Sequence, residues 1–169
     1  MWLEGEAWDE SWDNLQFRAW RLEAQPVYTM AEEEEEFARW RRGEEIPPDE
    51  EWLDDIRLSV EEGIHFGRVR VIPGPPHSDY LRYQFEVGYK PTIPVGHDVR
   101  ILDLSRVSNP GLPSEDFWLL DDKVVRMLYR EDGTQIGRKL VADPAELRKY
   151  EQYMQLAIAN SVPFSEYDY

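Results

Sequence analysis

The sequence has no cysteine, which excludes a disulfide-stapled scaffold and any thiolate metal site and is typical of a cytosolic protein. It has no run of about 18 apolar residues, the length that a membrane-spanning helix needs. The first residues are acidic and not basic, so we expect no signal peptide. With 169 residues, 41% of them hydrophobic, we expect one packed, cytoplasmic domain over residues 1–169.

Positive charge is scarce: 19 Lys and Arg stand against 35 Asp and Glu, for a net charge of −16. Because such a chain repels phosphates, we expect no direct binding to nucleic acid. Residues 1–63 hold 20 acidic and 6 basic residues, whereas the remainder is nearly balanced. The acidic excess therefore lies in the first third of the chain, where it would attract a basic protein partner.

Residues 114–160 predict three consecutive strands and a closing helix. The apolar run Phe117–Leu120 is followed by an alternating run, and Asp132-Gly133 is the sequence of a tight hairpin turn. Asp143-Pro144 then supplies an N-cap and a proline for the first turn of a helix. Trp118 lies within the apolar run, so we expect its side chain to be buried.

The acidic residues 1–63 are expected to be mainly helical. Capping patterns that begin at Thr29 and Asp49 predict two helices with apolar stripes, while residues 17–23 alternate and fit either a strand or the start of a helix. The apolar stripes indicate that this segment packs on an α/β core formed by residues 64–169.

From residue 64 onward the predicted order is strand, helix, strand, then three strands and a helix. Ser78 caps the first of these helices and Gly88 ends it. Alternation of strands with helices predicts an α/β (α+β) fold, in which helices flank a mixed β-sheet.

Several short runs resemble a known family: F-R-A-W-R-L-E, S-D-Y-L-R-Y, D-F-W-L-L-D-D and V-P-F-S-E-Y. The resemblance is to an actinobacterial family of small proteins, domain of unknown function 6879, and it covers nearly the whole chain. It implies a gene located beside a helix-turn-helix regulator, and it implies no activity and no functional residues.

The order of the elements also resembles one half of a phospholipase D-like fold. That superfamily carries H-x-K-x-x-x-x-D on the strand that ends here at Asp121, so its His falls on Ser114 and its Lys on Asp116. A carboxylate at the position of the phosphate-holding Lys would repel the substrate. The resemblance therefore implies a protein without phosphodiesterase activity, and we assign no catalytic residue.

Other chemical signals are weak. The histidines at 65, 77 and 97 lack the spacing of a helical metal site, and we expect surface or loop positions for them. The glutamate run Glu32–Glu36 fits a solvated helix face. We therefore predict no metal site and no cofactor.

The best candidate binding stretch follows the predicted strand Gly67–Ile72 and opens a helix, where α/β sheets usually place ligands. It contains a mixture of polar, cationic and aromatic side chains that favours recognition, namely Ser78, Asp79, Tyr80, Arg82 and Tyr83. Packing of the tyrosines within the helix is the alternative. Asp116 is a further candidate, as part of a carboxylate group with Asp121 and Asp122, although turn formation and solvation also explain those acids.

Three classes of function fit these observations. The first is a non-catalytic regulatory or interaction protein that acts with a basic partner, such as a helix-turn-helix regulator. The second is a sensor of a small ligand, such as a nucleotide or a sugar phosphate. The third is a hydrolase or nuclease whose site the sequence does not reveal. The sequence leaves the partner, the ligand and the oligomeric state open.

Overall fold

The computed structural model describes residues 1–169 and contains one seven-stranded sheet and five α-helices. The strands are β1 (Arg18–Glu23), β2 (His65–Ile72), β3 (Asp98–Asp103), β4 (Asp116–Leu120), β5 (Lys123–Tyr129), β6 (Gln135–Val141) and β7 (Val162–Pro163). The helices are α1 (Gly5–Asp13), α2 (Ala31–Arg41), α3 (Glu50–Glu61), α4 (Asp79–Tyr83) and α5 (Pro144–Ala159). A π-helical turn, Gln84–Tyr89, continues α4, and short 3₁₀ turns cover Ile93–Val95 and Phe164–Glu166.

The sheet is mixed, and its strand order is β6-β5-β4-β1-β2-β3-β7. The three strands β1, β2 and β3 run parallel to one another, and all other neighbours are antiparallel. The α/β fold with a mixed sheet and flanking helices is therefore confirmed.

Strand β1 lies in the middle of the sheet, between β4 and β2. Residues 17–23 had fitted either a strand or a helix start, and pairing on both sides selects the strand. The acidic segment 1–63 thus contributes a central strand as well as the helices α1, α2 and α3. Sequence periodicity could not reveal this because the partners of β1 lie more than 40 residues away in the chain.

The two faces of the sheet are covered by different helices. On one face, α5 packs through Tyr150 and Ala157 onto Trp20, Leu22 and neighbouring apolar residues. On the other face, α1 and α3 cover one half of the sheet, while α4, the π-helical turn and the C-terminal residues cover the β3 edge. All five residues of β4 are buried because both faces of this strand are covered.

Several local signals act as the sequence predicts. Asp143 caps α5 by accepting a hydrogen bond from the Ala145 N–H, and Asp49 caps α3 in the same way. Gly133 takes a positive φ of 86° in the β5–β6 turn. Trp118 is 4% exposed, so its predicted burial is confirmed.

Three local expectations are wrong. Thr29 does not cap α2, because its hydroxyl donates to the Asp132 carbonyl of the β5–β6 turn, and Met30 occupies the N-cap position without a side-chain bond. Gly88 does not end a helix, because the chain continues from α4 through the π-helical turn to Tyr89. Asp121 is not merely a solvated turn residue, since its carboxylate accepts three backbone N–H groups from residues 16–18.

Candidate ligand-binding cleft

Charged side chains stand on the helix-covered face of the two central parallel strands. Arg21 and Glu23 of β1 alternate with apolar residues that point to the α5 face, and Arg68 and Arg70 of β2 do the same. The strand register sets Arg21 beside Arg68 and Glu23 beside Arg70. Like charges directly opposite each other repel, so this arrangement needs counter-charges close by.

Glu23 supplies one of these counter-charges. Its Oε1 accepts a hydrogen bond from Arg68 Nη1 at 2.7 Å and another from the Tyr89 hydroxyl at 2.6 Å. Its Oε2 lies 3.9 Å from Arg21 Nε. Burial acts to raise the pKa of Glu23, but the guanidinium groups of Arg68 and Arg21 outweigh burial and hold this pKa at about 2. Glu23 is therefore ionised at neutral pH.

Asp116 supplies the second counter-charge. It is completely buried and accepts four hydrogen bonds: from Arg21 Nη2 at 3.1 Å, Ala24 N at 2.7 Å, Gln25 Nε2 at 3.2 Å and the Tyr28 hydroxyl at 2.6 Å. The alternative that solvation and turn formation explain this acid is wrong, because β4 carries Asp116 into the centre of the sheet.

Positive charge exceeds negative charge in this buried cluster. Arg70 is 2% exposed and makes no ion pair; its Nε donates to Gln84 Oε1 at 3.0 Å, and its guanidinium lies 5.4 Å from the centre of the Tyr28 ring. The Nε atoms of Arg21 and Arg68 are buried and have no hydrogen-bond partner. Three guanidinium groups are thus balanced by only two carboxylates, and two N–H donors are left over.

A cleft of about 390 Å³ opens above this cluster. Its floor includes Arg21, Glu23 and Arg68 of the sheet. Its walls come from α2, α3, α4 and the π-helical turn, and they carry the aromatic side chains of Trp52, Tyr80, Tyr83 and Tyr89. Small-molecule sites are usually lined by hydrophobic and aromatic side chains, with a few polar or charged groups that orient the ligand.

The α2 wall is acidic. Glu33 and Glu36 line the cleft, and the hydroxyls of Tyr80 and Tyr83 donate to them at 3.5 Å and 2.5 Å respectively. Burial first, and then the carboxylates of Glu36 and Glu23, raise the pKa of Glu33. Burial also raises the pKa of Tyr80, so its phenol stays protonated and acts as a donor.

His97 lines the cleft and is buried. Its Nδ1 lies 2.8 Å from the Thr92 hydroxyl, which also contacts the Tyr89 carbonyl at 2.9 Å. Burial, followed by the nearby Arg68, lowers the pKa of His97 well below its ordinary value. The ring is therefore neutral, and its buried Nε2 has no hydrogen-bond partner. His97 lies in the loop before β3, one of the two expected positions, but its side chain is 4% exposed and is not on the surface.

The structure separates the residues of the candidate stretch. Tyr80 and Tyr83 line the cleft. Ser78 is the N-cap of α4 and accepts from the Leu81 N–H. Asp79 is exposed and lies 3.5 Å from an arginine that ends α2, while Arg82 is exposed and outside the cleft. Asp116 lies beneath the cleft floor and holds Arg21 in place.

The cleft is displaced from the position that the sequence suggested, which was the loop after β2. That position is filled by the C-terminal segment, because the Tyr167 hydroxyl donates to Asp103 Oδ2 at 2.8 Å and lies 3.3 Å from His77 Nε2. The cleft lies instead over the middle of the sheet, on the face that carries the arginines.

Sequence reasoning missed Arg21, Glu23, Arg68 and His97. A usable signal was present, since R-L-E at the end of β1 and R-V-R in β2 each place two charged residues two positions apart within a largely apolar strand. Two such strands side by side would bring their charges onto one face. That β1 and β2 are neighbours could not be read from local sequence.

Comparison with known proteins identifies the family. The family model described as "Domain of unknown function (DUF6879)" matches residues 6–168, and the chain belongs to this family. No curated protein matches the sequence. No helix is both long enough and apolar enough to cross a membrane, and no three His, Asp or Glu side chains are grouped as a metal ion would require.

Proposed function

We propose that this protein is a non-catalytic regulatory protein that binds a small ligand with a negatively charged group in the cleft. The observation that carries the proposal is the excess of positive charge on the buried floor, where Arg21 and Arg68 each retain an N–H without a partner. Unpaired buried donors and charges are costly, and an anionic group of a ligand would compensate both.

The same geometry favours binding over catalysis. Glu23 and Asp116 are each committed to arginines and tyrosines, so neither is poised to transfer a proton. In the interpretation as half of a phospholipase D-like fold, Asp116 occupies the position of the catalytic Lys, and its ion pair with Arg21 supports a structural role for it. We infer that ligand binding changes the surface offered to a partner.

A thermal-shift screen tests the proposal. The panel contains short carboxylates, sugar phosphates and nucleotides, which differ in the anionic group. A ligand at 100 times its Kd adds about 2.7 kcal/mol of stability, and at about 2–4 °C per kcal/mol for a chain of this size this raises the Tm by about 5–11 °C.

Two variants make the screen specific. Arg68→Gln removes a guanidinium from the floor and should abolish the shift, whereas Arg82→Gln changes an exposed arginine outside the cleft and should keep it. The proposal is wrong if no anion in the panel raises the Tm of the wild type, or if Arg68→Gln responds as the wild type does.

A specific observation also favours a basic protein partner. The helices α1, α2 and α3 all cover the same face of the sheet, and they carry four, five and five carboxylates respectively. We propose that this acidic face contacts the basic surface of a helix-turn-helix regulator in an actinobacterial cytoplasm. Complementary charge would make the association fast and sensitive to salt.

Co-purification with the regulator encoded beside the gene tests this second proposal. The variant that replaces Glu34 and Glu35 with Gln removes exposed charges of α2 without touching the cleft. Weaker capture of the regulator by this variant at low salt supports the acidic interface, and equal capture at low and high salt contradicts it.

A further inference from the structure

The arginines on the floor of the cleft do not pair with the glutamates on its α2 wall. Arg21 and Arg68 have unpartnered donors on the floor, and Glu33 and Glu36 stand on the α2 wall. We propose that the ligand is a zwitterion, a small amino carboxylate whose carboxylate faces the arginines and whose cationic group lies between the two glutamates. This inference rests on the proposed function and specifies its ligand.

The two glutamates are positioned as a receptor for a cation. Tyrosine hydroxyls orient both carboxylates, and both side chains are partly buried. The arginines near the end of α2 pair elsewhere: Arg39 and Arg42 with Glu44, and Arg41 with Asp79. Glu33 and Glu36 therefore have no cationic partner within the chain, although mutual repulsion favours one.

His97 is a further polar group of the cleft without a partner. Its side chain is 4% exposed and lines the cleft, and its buried Nε2 makes no hydrogen bond within the chain. Together with the Nε atoms of Arg21 and Arg68, the residues of the floor thus carry three polar atoms that the chain leaves unsatisfied.

This combination discriminates between classes of anion. A phosphate ester that carries two negative charges would satisfy the arginines, but Glu33 and Glu36 would repel its second charge. An amino carboxylate brings one negative and one positive charge, together with N–H donors. The cleft therefore favours amino carboxylates over the nucleotides and sugar phosphates that the sequence suggested.

Isothermal titration calorimetry with a homologous series tests the inference. Glycine, 4-aminobutanoate and 6-aminohexanoate have the same end groups at increasing separation, and hexanoate and hexylammonium each carry only one of them. We expect at least one member of the amino series to bind about tenfold or more tighter than both one-charge probes, since tenfold corresponds to about 1.4 kcal/mol and a hydrogen bond to a charged group contributes at least that much.

The double substitution Glu33→Gln and Glu36→Gln keeps hydrogen-bond acceptors for the tyrosines and removes the charges. It should lose the tenfold preference for the amino carboxylate, and hexanoate should bind at least as tightly as it does to the wild type, because two repelling charges are removed. The matched control, Glu34→Gln with Glu35→Gln, changes exposed residues of the same helix and should keep the preference.

The outcomes separate this inference from the proposed function. If hexanoate binds as tightly as every amino carboxylate, and the double variant changes nothing, the zwitterion is wrong while anion binding stands. If neither hexanoate nor any amino carboxylate binds, and the phosphate probes of the thermal-shift panel do not bind either, the proposed function itself is wrong.

Discussion

Asp116 offers a sharp test of the buried charge cluster through the substitution Asp116→Asn. The asparagine has the same shape as the aspartate but no charge, and one carboxylate oxygen becomes an NH₂ group. In the native cluster, Oδ1 accepts from Ala24 N and Gln25 Nε2, while Oδ2 accepts from Arg21 Nη2 and the Tyr28 hydroxyl. Whichever way the amide turns, its NH₂ group faces a group that can only donate, either Ala24 N–H or the Arg21 guanidinium.

The expected loss of stability in Asp116→Asn is large because the ion pair between Asp116 and Arg21 is shielded from water. Asp116 is completely buried, and the Arg21 side chain is 13% exposed, so the lost charge leaves Arg21 with only the more distant Glu23. Removing one partner of a buried ion pair costs about 3–5 kcal/mol. This is a large share of the roughly 5–15 kcal/mol by which domains are stable.

Urea unfolding of Asp116→Asn measures this cost, and Asp122→Asn is the matched control. Asp122 lies in the turn after β4 and is exposed, so its substitution should change the free energy of unfolding by less than about 0.5 kcal/mol. Equal effects of the two substitutions would refute the reasoning, because they would mean that Asp116 is solvated as Asp122 is.

Three further predictions concern pH and packing. The pKa of Glu23 is held at about 2 in the folded state, against about 4.3 in the unfolded chain. The stabilisation by ionised Glu23 is therefore present above the unfolded pKa and is lost as the pH falls from about 5 to 2. In urea melts, the difference in free energy of unfolding between wild type and Glu23→Gln should shrink over that range. The folded-state pKa of His97 is also lowered, so the wild type should lose stability as the pH falls below about 6.5, and His97→Gln should show a smaller loss between pH 7 and 5. Trp118→Ala should cost about 3–5 kcal/mol in urea melts, and a cost under about 1 kcal/mol would contradict burial of the indole.

Local signals account for the part of the fold that could be predicted. The Asp143 cap, the Asp132-Gly133 turn and the apolar run around Trp118 depend on neighbours in sequence, and the structure retains each of them. Thr29 shows the limit of such signals. Its spacing to Glu32 matches a capping box, but its hydroxyl donates a hydrogen bond to a carbonyl of the β5–β6 turn and does not cap the helix.

The cleft could be predicted only in part because its parts come from distant segments. Tyr80 and Tyr83 could be predicted as binding residues because they lie at the start of a helix that follows a strand. Arg21 and Arg68, in contrast, come together only when β1 pairs with β2. His97 gives no local signal at all. Its burial follows from packing against Phe66 and from the bond to Thr92, and neither neighbour is implied by the residues next to it.

The most direct test of the central claim is an NMR titration of the arginine side-chain Nε–H signals with 6-aminohexanoate and with hexanoate. A ligand whose carboxylate meets the floor of the cleft should shift the signals of Arg21 and Arg68, whose Nε atoms have no partner within the chain, and should leave the signal of Arg82 in place. If the Arg21 and Arg68 signals do not move with either probe, or if they move no more than that of Arg82, the floor of the cleft does not bind a carboxylate and the claim is wrong.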